Sequence, residues 1–563
     1  MTDKRVLIVT EGILSVKDPS PFAELRKQIQ IHKNSTGPWL DLRIKLQILE
    51  RVLPARLLLT SRKSRKAGYF PTIRRLFGKG INLGAPELTE VVLMTLLAEQ
   101  GVAYEATTYS DLTSDATERE RLLNSCDCVF ASGTMLNGLA EVKVIARLLK
   151  RPHNRVVLGG AVTAFLHESW PGVPGIDVVA VGYGEWLVPV LVRWMQSDYR
   201  TLEPPPRGRI DFRGETQIVY SGMPEGRSLD ELIRPDWTLA ERYHRRRFPL
   251  IHYESVRGCP YRCEFCNYPY LFDDDTFRVK SADKIAREWM AYAENGAKII
   301  NCLDSLFTIP RKRLLSLCEK LKGSDIKWIC YARADDLVRP GIVEQMLEAG
   351  CIQVQIGIES GDQKILDNMN KSCSVANNLK AMEICREKGL STLVSVILGF
   401  PGETAETIQA TLQHLRDGLP DFYYASAFSV LVEKVPVLSN DNRIKYGLET
   451  VSGPSSLPYW KHNTMDSAEV MNYLNGFNEA IMREGVSLEA SLFYETIPGY
   501  CRETDREDLL SYQRAAREFA PWVRKPLNLL GRWVQGKLER DMSRMINRRN
   551  TTGELSIEVS DIR

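Results

Sequence analysis

The chain has 563 residues, of which 44% are apolar and 26% are charged, and this balance excludes disorder over most of its length. The length exceeds what one hydrophobic core organises, so we expect two or three domains. With 74 basic against 71 acidic residues, the net charge of +3 gives no reason to expect nucleic acid or an acidic membrane as a partner.

The N-terminal stretch MTDKRVLIVTEG lacks the basic, apolar and small-residue regions of a signal peptide. No run approaches the roughly 20 apolar residues that a membrane span requires. Most of the 12 cysteines stand singly in apolar runs, as is usual in a reducing compartment. We therefore expect a cytoplasmic enzyme without a membrane span.

Short β-branched runs alternate with amphipathic helical stretches from residue 1 to about 200. The predicted strands are RVLIVT (5–10), AYEATTY (103–109), CVFASG (128–133), RVVLGG (155–160) and IDVVAVG (176–182). Five strands with helical crossovers predict an α/β domain with a doubly wound parallel sheet over residues 1–200. Ligands of such sheets bind at the carboxyl ends of the strands, so we expect binding residues there.

A long insertion at about 12–84 follows the first strand. Connections of this length are rare in compact domains, so the insertion is expected to hold helices of its own. It contains the basic segment SRKSRKAGYFPTIRR, from Ser61 to Arg75. We favour a solvated surface loop for this segment, and contact with an anion or nucleic acid is the alternative.

The Pro- and Gly-rich stretch LEPPPRGRIDFRGETQ marks a linker, predicted at 201–248. A second alternating series begins at residue 249. Its strand-like runs are LIHYESV, AKIINCLDSLF, IKWICYARADD, CIQVQIGIESG, TLVSVILGFPGET and DFYYASAFSVL. Six βα units predict a partial (β/α)6 barrel over 249–434, with functional residues at the C-terminal ends of its strands.

The region 435–563 is predicted to be mainly helical, to cap the barrel mouth and to select the substrate. Its most chemically versatile side chains are Trp460, Lys461 and His462 in PYWKHNTM, although packing or a surface position is favoured for each alone. A basic amphipathic stretch follows at 528–550. We favour its packing on its own domain over contact with a membrane or RNA.

Three cysteines, Cys259, Cys263 and Cys266, lie at the spacing C-x3-C-x2-C after the first strand of the second series. Thiolates favour zinc or iron–sulfur centres. Structural zinc usually takes four protein ligands, and no fourth Cys or His lies nearby, although a distant ligand stays open. A disulfide is disfavoured by the odd number. A [4Fe–4S] cluster held by three cysteines leaves one iron free to bind a substrate.

The same segment has an aromatic residue, Phe265, before its last cysteine, and further motifs follow the next strands in order. These motifs are LDSLF, the segment around Arg333, GIES and GFPGET. With them, the second series resembles the radical S-adenosylmethionine (SAM) superfamily from about residue 249 to residue 430.

This resemblance implies that Cys259, Cys263 and Cys266 hold a [4Fe–4S] cluster whose open iron binds SAM and cleaves it to a 5′-deoxyadenosyl radical. An external electron donor of the flavodoxin or ferredoxin kind is expected. The residues implied to surround SAM are Phe265 near the adenine, Glu359 and Ser360 near the ribose and methionine, and Gly399, Gly402 and Glu403 around the adenosine. For Glu359 the alternative is a satisfied carboxylate at the barrel mouth.

Glycines and small hydroxylated residues end three strands of the first sheet, in ASGT, LGG and VGYGE. With a radical SAM barrel behind it, such a domain resembles the cobalamin-binding subclass, called class B. The residues implied to contact cobalamin are Ser132, Gly133, Thr134, Gly159, Gly160, Gly182, Gly184 and Glu185. The alternative is that these segments are ordinary βα turns.

The D-x-H-x-x-G signature, by which some cobalamin proteins supply a histidine to cobalt, is absent from this domain, and His153 and His167 lack its context. We therefore expect the lower face of the corrin to have no histidine ligand. The insertion, including Arg62 to Arg75, is a candidate to cover that face.

The resemblance implies a methyltransferase in a biosynthetic pathway, which methylates an unactivated carbon, or less favourably phosphorus, of a small molecule or peptide. The radical would remove hydrogen and methylcobalamin would supply the methyl group. An sp2 carbon would allow a polar route instead. The alternatives are oxidative cyclisation or ring rearrangement with the same cofactors and, from a different class, a non-catalytic cobalamin and cluster sensor. A methylthiotransferase is disfavoured, because Cys126 and Cys128 are too few for a second cluster.

Overall fold

The computed structural model describes residues 4–11, 85–136, 138–430, 435–451 and 459–489. The described residues form two seven-stranded sheets, a three-stranded sheet near the C-terminal end and a short two-stranded ribbon. None of the helices in these ranges has both the length and the apolar character that crossing a membrane would need. The predicted insertion at 12–84, with its basic segment, and the basic stretch at 528–550 lie outside the described residues.

The first sheet has the strand order β2-β1-β3-β4-β5-β7-β6. All neighbouring strands are parallel except the pair β6 and β7. The strands are β1 (Arg5–Thr10), β2 (Ala103–Thr108), β3 (Cys128–Ser132), β4 (Arg155–Gly159), β5 (Val178–Val181), β6 (Arg209–Arg213) and β7 (Thr216–Tyr220).

Helices cover both faces of this sheet. They are α1 (Leu88–Glu99), α2 (Tyr109–Ser114), α3 (Ala116–Ser125), α4 (Leu139–Leu149), α5 (Ala161–Leu166) and α6 (Gly184–Gln196). Val6 and Ile8 of β1 share a core with α1 and α6, whereas Leu7 and Val9 share one with α3 and α4. Because alternate side chains of one strand enter two separate cores, the predicted doubly wound sheet is confirmed.

The hairpin β6–β7 extends the first sheet into the segment that the sequence assigned to a linker at 201–248. Gly214, at φ +59°, lies in its two-residue turn, where a positive φ matches the twist of the strands. The Gly-rich composition that suggested a linker therefore includes the turn of an edge hairpin. Helix α7 (Trp237–His244) lies between this hairpin and the barrel in the chain.

The second sheet is a partial barrel of parallel strands in the order β8-β11-β12-β13-β14-β15-β19. Its strands are β8 (Leu250–Tyr253), β11 (Ile299–Cys302), β12 (Lys327–Ala332), β13 (Cys351–Glu359), β14 (Ser391–Leu398), β15 (Phe422–Ala427) and β19 (Leu488–Glu489). The six predicted strands are all present. The two-residue strand β19 adds a seventh, which is too short to give a sequence pattern.

Helices follow the barrel strands, and the short antiparallel pair β9 (Val256–Arg257) and β10 (Arg278–Val279) flanks the cysteine loop. Three of these helices have a hydroxylated N-cap residue, Ser281, Ser374 or Thr404, whose side chain accepts a hydrogen bond from a backbone N–H group of the first turn. The helices are α8 (Ala282–Glu294), α9 (Arg311–Leu321), α10 (Ala334–Leu337), α11 (Ile342–Glu348), α12 (Gln363–Asn368), α13 (Val375–Lys388) and α14 (Ala405–Gly418).

The described part of the C-terminal region contains the helices expected there, α15 (Asn440–Tyr446) and the 18-residue α16 (Ser467–Glu484). It also contains a small antiparallel sheet that the sequence did not predict. The strands of this sheet have two to four residues each and are β16 (Glu449–Val451), β17 (Tyr459–His462) and β18 (Met465–Asp466).

Candidate functional site

The three cysteines predicted to hold the cluster lie on the loop after β9 and line a cavity at the barrel mouth. Cys263 is buried, and Cys259 and Cys266 are half-buried. Burial raises the pKa of Cys266 to about 12 and also raises that of Cys263, while the charge of Lys371 acts in the opposite direction. In the described part of the chain, no three His, Cys, Asp or Glu side chains group closely enough to hold one metal ion.

The LDSLF motif fastens the chain on either side of β9. The Asp304 carboxylate accepts hydrogen bonds from the backbone N–H groups of Ser255, at 2.6 Å, and Val256, at 2.9 Å. Burial raises the pKa of Asp304 to about 6. The Ser305 hydroxyl donates to the carbonyl of Gly258 at 2.7 Å. These bonds hold the start of the cysteine loop against the end of β11.

The cavity at the barrel mouth, called the barrel cavity here, has a volume of about 660 Å³. It is bounded by the cysteine loop and by residues of β12 to β15 and the segments after them. Of the residues predicted to surround SAM, Phe265 and Glu359 line it together with the three cysteines. Two cationic side chains, Arg333 and Lys371, complete this charged side of the wall.

Four of the six residues predicted to surround SAM, Ser360, Gly399, Gly402 and Glu403, do not line the barrel cavity. Ser360 is fully buried, and its hydroxyl oxygen accepts a hydrogen bond from the backbone N–H of Asp362 at 3.1 Å. Gly399 has both backbone groups engaged: its N–H donates to Glu403, and its carbonyl accepts from His462 Nε2 at 3.1 Å. Ser360 and Gly399 therefore hold turns behind the wall.

The carboxyl group of Glu403 is completely buried, and its Oε1 has no hydrogen-bond partner among the described residues. Burial raises its pKa from 4.5 to about 8. The folded protein therefore holds a proton that the unfolded chain releases, and stability should fall as pH rises through this range. We expect the melting temperature of Glu403→Gln, relative to the native protein, to rise between about pH 4.5 and pH 8, the unfolded and folded pKa values of this carboxyl group. Circular dichroism measures both melting temperatures. A difference between them that does not change with pH would contradict the raised pKa of Glu403.

The described tail packs on the GFPGET turn. Trp460 Nε1 donates to the Phe428 carbonyl at 2.8 Å, and the Trp460 ring stacks on His462 at a centroid distance of 5.0 Å. Lys461 is exposed. Within 435–451 and 459–489, no residue lines the barrel cavity. The other tail residues that were predicted to cap the mouth lie outside the described residues.

A second cavity, the interdomain cavity, lies between the carboxyl ends of the first sheet and the cysteine-loop side of the barrel and has a volume of about 340 Å³. Seven of the eight residues predicted to contact cobalamin line it: Ser132, Thr134, Gly159, Gly160, Gly182, Gly184 and Glu185. The eighth, Gly133, lies behind the wall, where its N–H donates to the Gly159 carbonyl at 2.6 Å. Three separate βα turns thus converge on one space.

The rest of the interdomain cavity is largely apolar. Side chains of α1 and α6 and of the sheet face beneath them form a slot, lined by Leu88, Val92, Leu93, Phe130, Val157, Ala180, Leu187, Val188 and Leu191. The barrel side contributes Glu254, Arg257, Tyr268, Leu271, Phe272 and Leu303. Neither His153 nor His167 lines this cavity. His167 is buried between the Tyr220 hydroxyl, at 3.1 Å, and Asp273, at 3.2 Å.

Arg257 forms a buried ion pair across the two domains that the sequence did not predict. Its Nη2 lies 2.7 Å from Glu185 Oε1, and its Nε donates to Glu254 at 2.9 Å. The side chains of Arg257 and Glu185 are only 7% and 9% exposed. Glu185 is therefore held by a residue that lies two positions before Cys259, which links the first sheet to the cysteine loop.

The two cavities have two wall residues in common, Tyr268 and Leu303. Tyr268 follows Cys266 by two positions, and its hydroxyl donates to the Leu303 carbonyl at 3.2 Å. The wall between the barrel cavity and the interdomain cavity therefore includes one hydrogen-bonded pair of residues. Leu303 is the first residue of LDSLF, but nothing in the sequence predicted its contact with Tyr268, because the contact joins segments that are 35 positions apart.

The doubly wound sheet, the partial barrel and the loop with three cysteines define an α/β protein whose cysteine loop lies at a barrel mouth beside an interdomain cavity. Residues 253–415 match the sequence profile of the Radical SAM superfamily, and the chain therefore contains a radical SAM domain. Such a domain implies a [4Fe–4S] cluster and SAM, the two cofactors predicted for this part of the chain.

Curated relatives match about half of the chain. An uncharacterized methyltransferase from Pyrococcus horikoshii is 28% identical over 290 residues, which cover 49% of this chain and 61% of the relative. The anaerobic magnesium-protoporphyrin IX monomethyl ester cyclase of Cereibacter sphaeroides is 28% identical over 282 residues, covering 48% and 46%. The chain thus spans about half the length of the curated relatives it matches.

A solved structure shares the fold over most of the chain. It is the radical SAM methyltransferase TsrM from Kitasatospora setae, with cobalamin and a [4Fe–4S] cluster bound. The TM-score is 0.54, the sequence identity is 15%, and the match covers 82% of this chain and 96% of that chain. At this identity the likeness shows a common fold.

Proposed function

We propose that the chain is a cobalamin-dependent radical SAM enzyme that methylates an unactivated carbon, with phosphorus as the less favoured acceptor, of a small molecule or peptide in a biosynthetic pathway. The observation that carries the proposal is the common wall of Tyr268 and Leu303 between the two cavities. A substrate at this wall would lie next to both predicted cofactor sites. The methyltransferase relative and the fold of TsrM support the same proposal.

The barrel cavity suits the cluster and SAM. Three thiols line this cavity. Phe265, Glu359 and the cations Arg333 and Lys371 line it as well. This set offers soft ligands for iron together with an aromatic face, a carboxylate and positive charge for a zwitterionic nucleoside ligand. The cluster would be held by Cys259, Cys263 and Cys266.

The interdomain cavity suits a corrinoid. Its polar end has small and hydroxylated residues from three strand ends, which let a flat cofactor approach the backbone, and its apolar slot suits an apolar base. The enclosed 340 Å³ suits part of a corrinoid rather than the whole, so the fit rests on the lining chemistry. A lower corrin face without a histidine ligand is part of the proposal.

When bound, SAM and the cluster supply hydrogen-atom abstraction, and the corrinoid supplies a methyl group. The chain's own residues hold the two sites in a fixed position relative to each other. Asp304 fixes the turn before the cysteine loop, Arg257 ties that loop to Glu185, and the Tyr268–Leu303 hydrogen bond fixes the common wall. An external flavodoxin- or ferredoxin-like donor belongs to the proposal, because reductive cleavage of SAM consumes an electron.

Gly184 offers a direct test of corrinoid binding. It lines the interdomain cavity, and a Cβ added there would have no heavy atom within 4 Å. The substitution Gly184→Trp should therefore start from an unobstructed Cβ, place an indole ring in the cavity and weaken hydroxocobalamin binding by about tenfold or more. Equilibrium dialysis with absorbance detection measures this.

The matched control is Gly138→Trp, because Gly138 is equally open but lies outside the cavity wall. It should bind hydroxocobalamin like the native protein. Equal affinity of native protein and Gly184→Trp would place the corrinoid elsewhere and would contradict the proposed site.

A second candidate function is oxidative cyclisation or ring rearrangement without net methyl transfer. This function is supported by the sequence identity between the chain and the anaerobic cyclase, which is 28%, the same as for the methyltransferase relative. The two functions are distinguished by the products of the reconstituted enzyme with candidate substrates. Radical methylation gives 5′-deoxyadenosine, S-adenosylhomocysteine and a product heavier by one CH2 group, whereas oxidative cyclisation gives 5′-deoxyadenosine without stoichiometric S-adenosylhomocysteine and a product that has lost hydrogen.

A further inference from the structure

Glu359 has an unusual backbone position at the end of β13. The pairing register between β13 and β14 shifts between Gly357 and Glu359, which marks a bulge. Glu359 itself has φ +59°, in the left-handed region that non-glycine residues rarely adopt. Bulges and left-handed residues of this kind re-aim a side chain and concentrate at functional sites. The bulge directs the Glu359 carboxylate onto the wall of the barrel cavity.

Lys371 holds this carboxylate from the loop after α12. Its Nζ lies 2.8 Å from Glu359 Oε1, and the two side chains are 11% and 8% exposed. Burial alone would lower the pKa of Lys371, but the Glu359 carboxylate outweighs it and the pKa is raised. The carboxylate thus stabilises the Lys371 ammonium, and removing either side chain leaves the other without its partner in a buried position.

The pair depends on the absence of a side chain at Gly357. A Cβ there would lie 2.3 Å from Glu359 Oε1 and 2.9 Å from Lys371 Nζ. The glycine of GIES thus provides the space in which the ammonium and the carboxylate meet. This close approach explains a residue that the sequence motif contained but did not account for.

The backbone around Lys371 is fixed as well. Arg333 Nη2 donates to the carbonyls of Lys371, at 2.7 Å, and Ser372, at 2.8 Å. Lys371 Nζ also lies 5.7 Å from the centre of the Phe265 ring. Lys371 is therefore the residue that contacts both Phe265 and Glu359, which were predicted to flank the adenosine.

We propose that Lys371 is a positioning residue that, in the space left by Gly357, holds Glu359 Oε1 so that Oε2 faces the barrel cavity and accepts hydrogen bonds from the vicinal diol of a nucleoside. The inference deepens the proposed function, since the nucleoside would be SAM. Glu359 Oε2 has no hydrogen bond within the described residues, so one carboxylate oxygen is left for a ligand.

The test compares two stable ligands on the reconstituted full chain: S-adenosylhomocysteine and its 2′,3′-dideoxy analogue, each measured by equilibrium binding. Lys371→Met should lose about tenfold or more affinity for S-adenosylhomocysteine and little for the analogue. Lys371→Arg should restore much of the difference, because it retains the charge. A merely structural defect would lower both affinities together.

Gly357→Ala gives a second route to the same result, because its Cβ pushes the ammonium and the carboxylate apart while both Lys371 and Glu359 are retained in the sequence. In a Glu359→Gln background, Lys371→Met should add little. Lys380→Met is the control, since Lys380 is 57% exposed and its ion pair within the described residues is with Glu383 at the surface. Equal losses of affinity for both ligands, or no loss in Lys371→Met and Gly357→Ala, would overturn this inference and leave the proposed function unaffected. A native protein that binds neither ligand would overturn the proposed function and the inference with it.

Discussion

Replacing Cys259, Cys263 and Cys266 together with alanine should abolish the visible absorbance of the reconstituted cluster and all formation of 5′-deoxyadenosine from SAM. The reason is that these thiols are the soft ligands on the barrel cavity wall. Corrinoid binding should persist, because none of the three lines the interdomain cavity. Absorbance after anaerobic reconstitution and chromatography of the nucleoside products measure the two effects.

Cys373→Ala is the control for this substitution. Cys373 is half-buried like Cys259 and Cys266, but it does not line the barrel cavity. The visible absorbance and the nucleoside products of reconstituted Cys373→Ala should match those of the native protein. Loss of cluster and corrinoid together in the triple variant would show that the cavities are not separable and would contradict the assignment of one cofactor to each.

Arg257→Met should lower the free energy of unfolding by about 3–5 kcal/mol, because it leaves Glu185 buried without its cation. Urea unfolding followed by circular dichroism measures this. Arg121→Met is a matched control: Arg121 also pairs with two carboxylates, Glu105 and Glu118, but is 52% exposed. Its loss should cost less than about 1 kcal/mol. Similar costs for both variants would show that the buried pair has no special role at the interface.

The cost of Arg257→Met should also depend on pH. Burial by itself would raise the pKa of Glu185, but Arg257 outweighs it, and the pKa lies below its ordinary value of 4.5. A depressed carboxyl pKa stabilises the fold above about pH 4.5, and that stabilisation is lost as the pH falls further. The difference in free energy of unfolding between the native protein and Arg257→Met should therefore become smaller below about pH 4.5.

Local patterns predicted the parts of the fold that depend on periodicity. The strand runs and helical stretches gave both parallel sheets, because alternation and β-branched content are set by burial within each strand. The edge hairpin β6–β7 was assigned to a linker, since its strands have five residues each and lie in Gly-rich sequence. The strands β16 to β19 have two to four residues and are held by tertiary contacts.

The site was predictable where a motif places side chains directly on a strand end. The cysteine trio and most of the small residues of ASGT, LGG and VGYGE line the cavities. Ser360 and Gly133 are neighbours of lining residues in the chain but do not line the cavities themselves, and a sequence pattern does not resolve that one-residue difference. Arg257 and Lys371 could not be found, because their partners are set by long-range packing rather than by spacing.

The most direct test of the central claim is anaerobic reconstitution of the native chain with iron, sulfide and hydroxocobalamin, followed by incubation with SAM and a low-potential reductant. The proposal predicts about four irons and a stoichiometric corrinoid per chain, with 5′-deoxyadenosine and S-adenosylhomocysteine formed from SAM. A protein that retains no corrinoid, and that forms neither nucleoside product with candidate substrates, would contradict a cobalamin-dependent radical SAM enzyme.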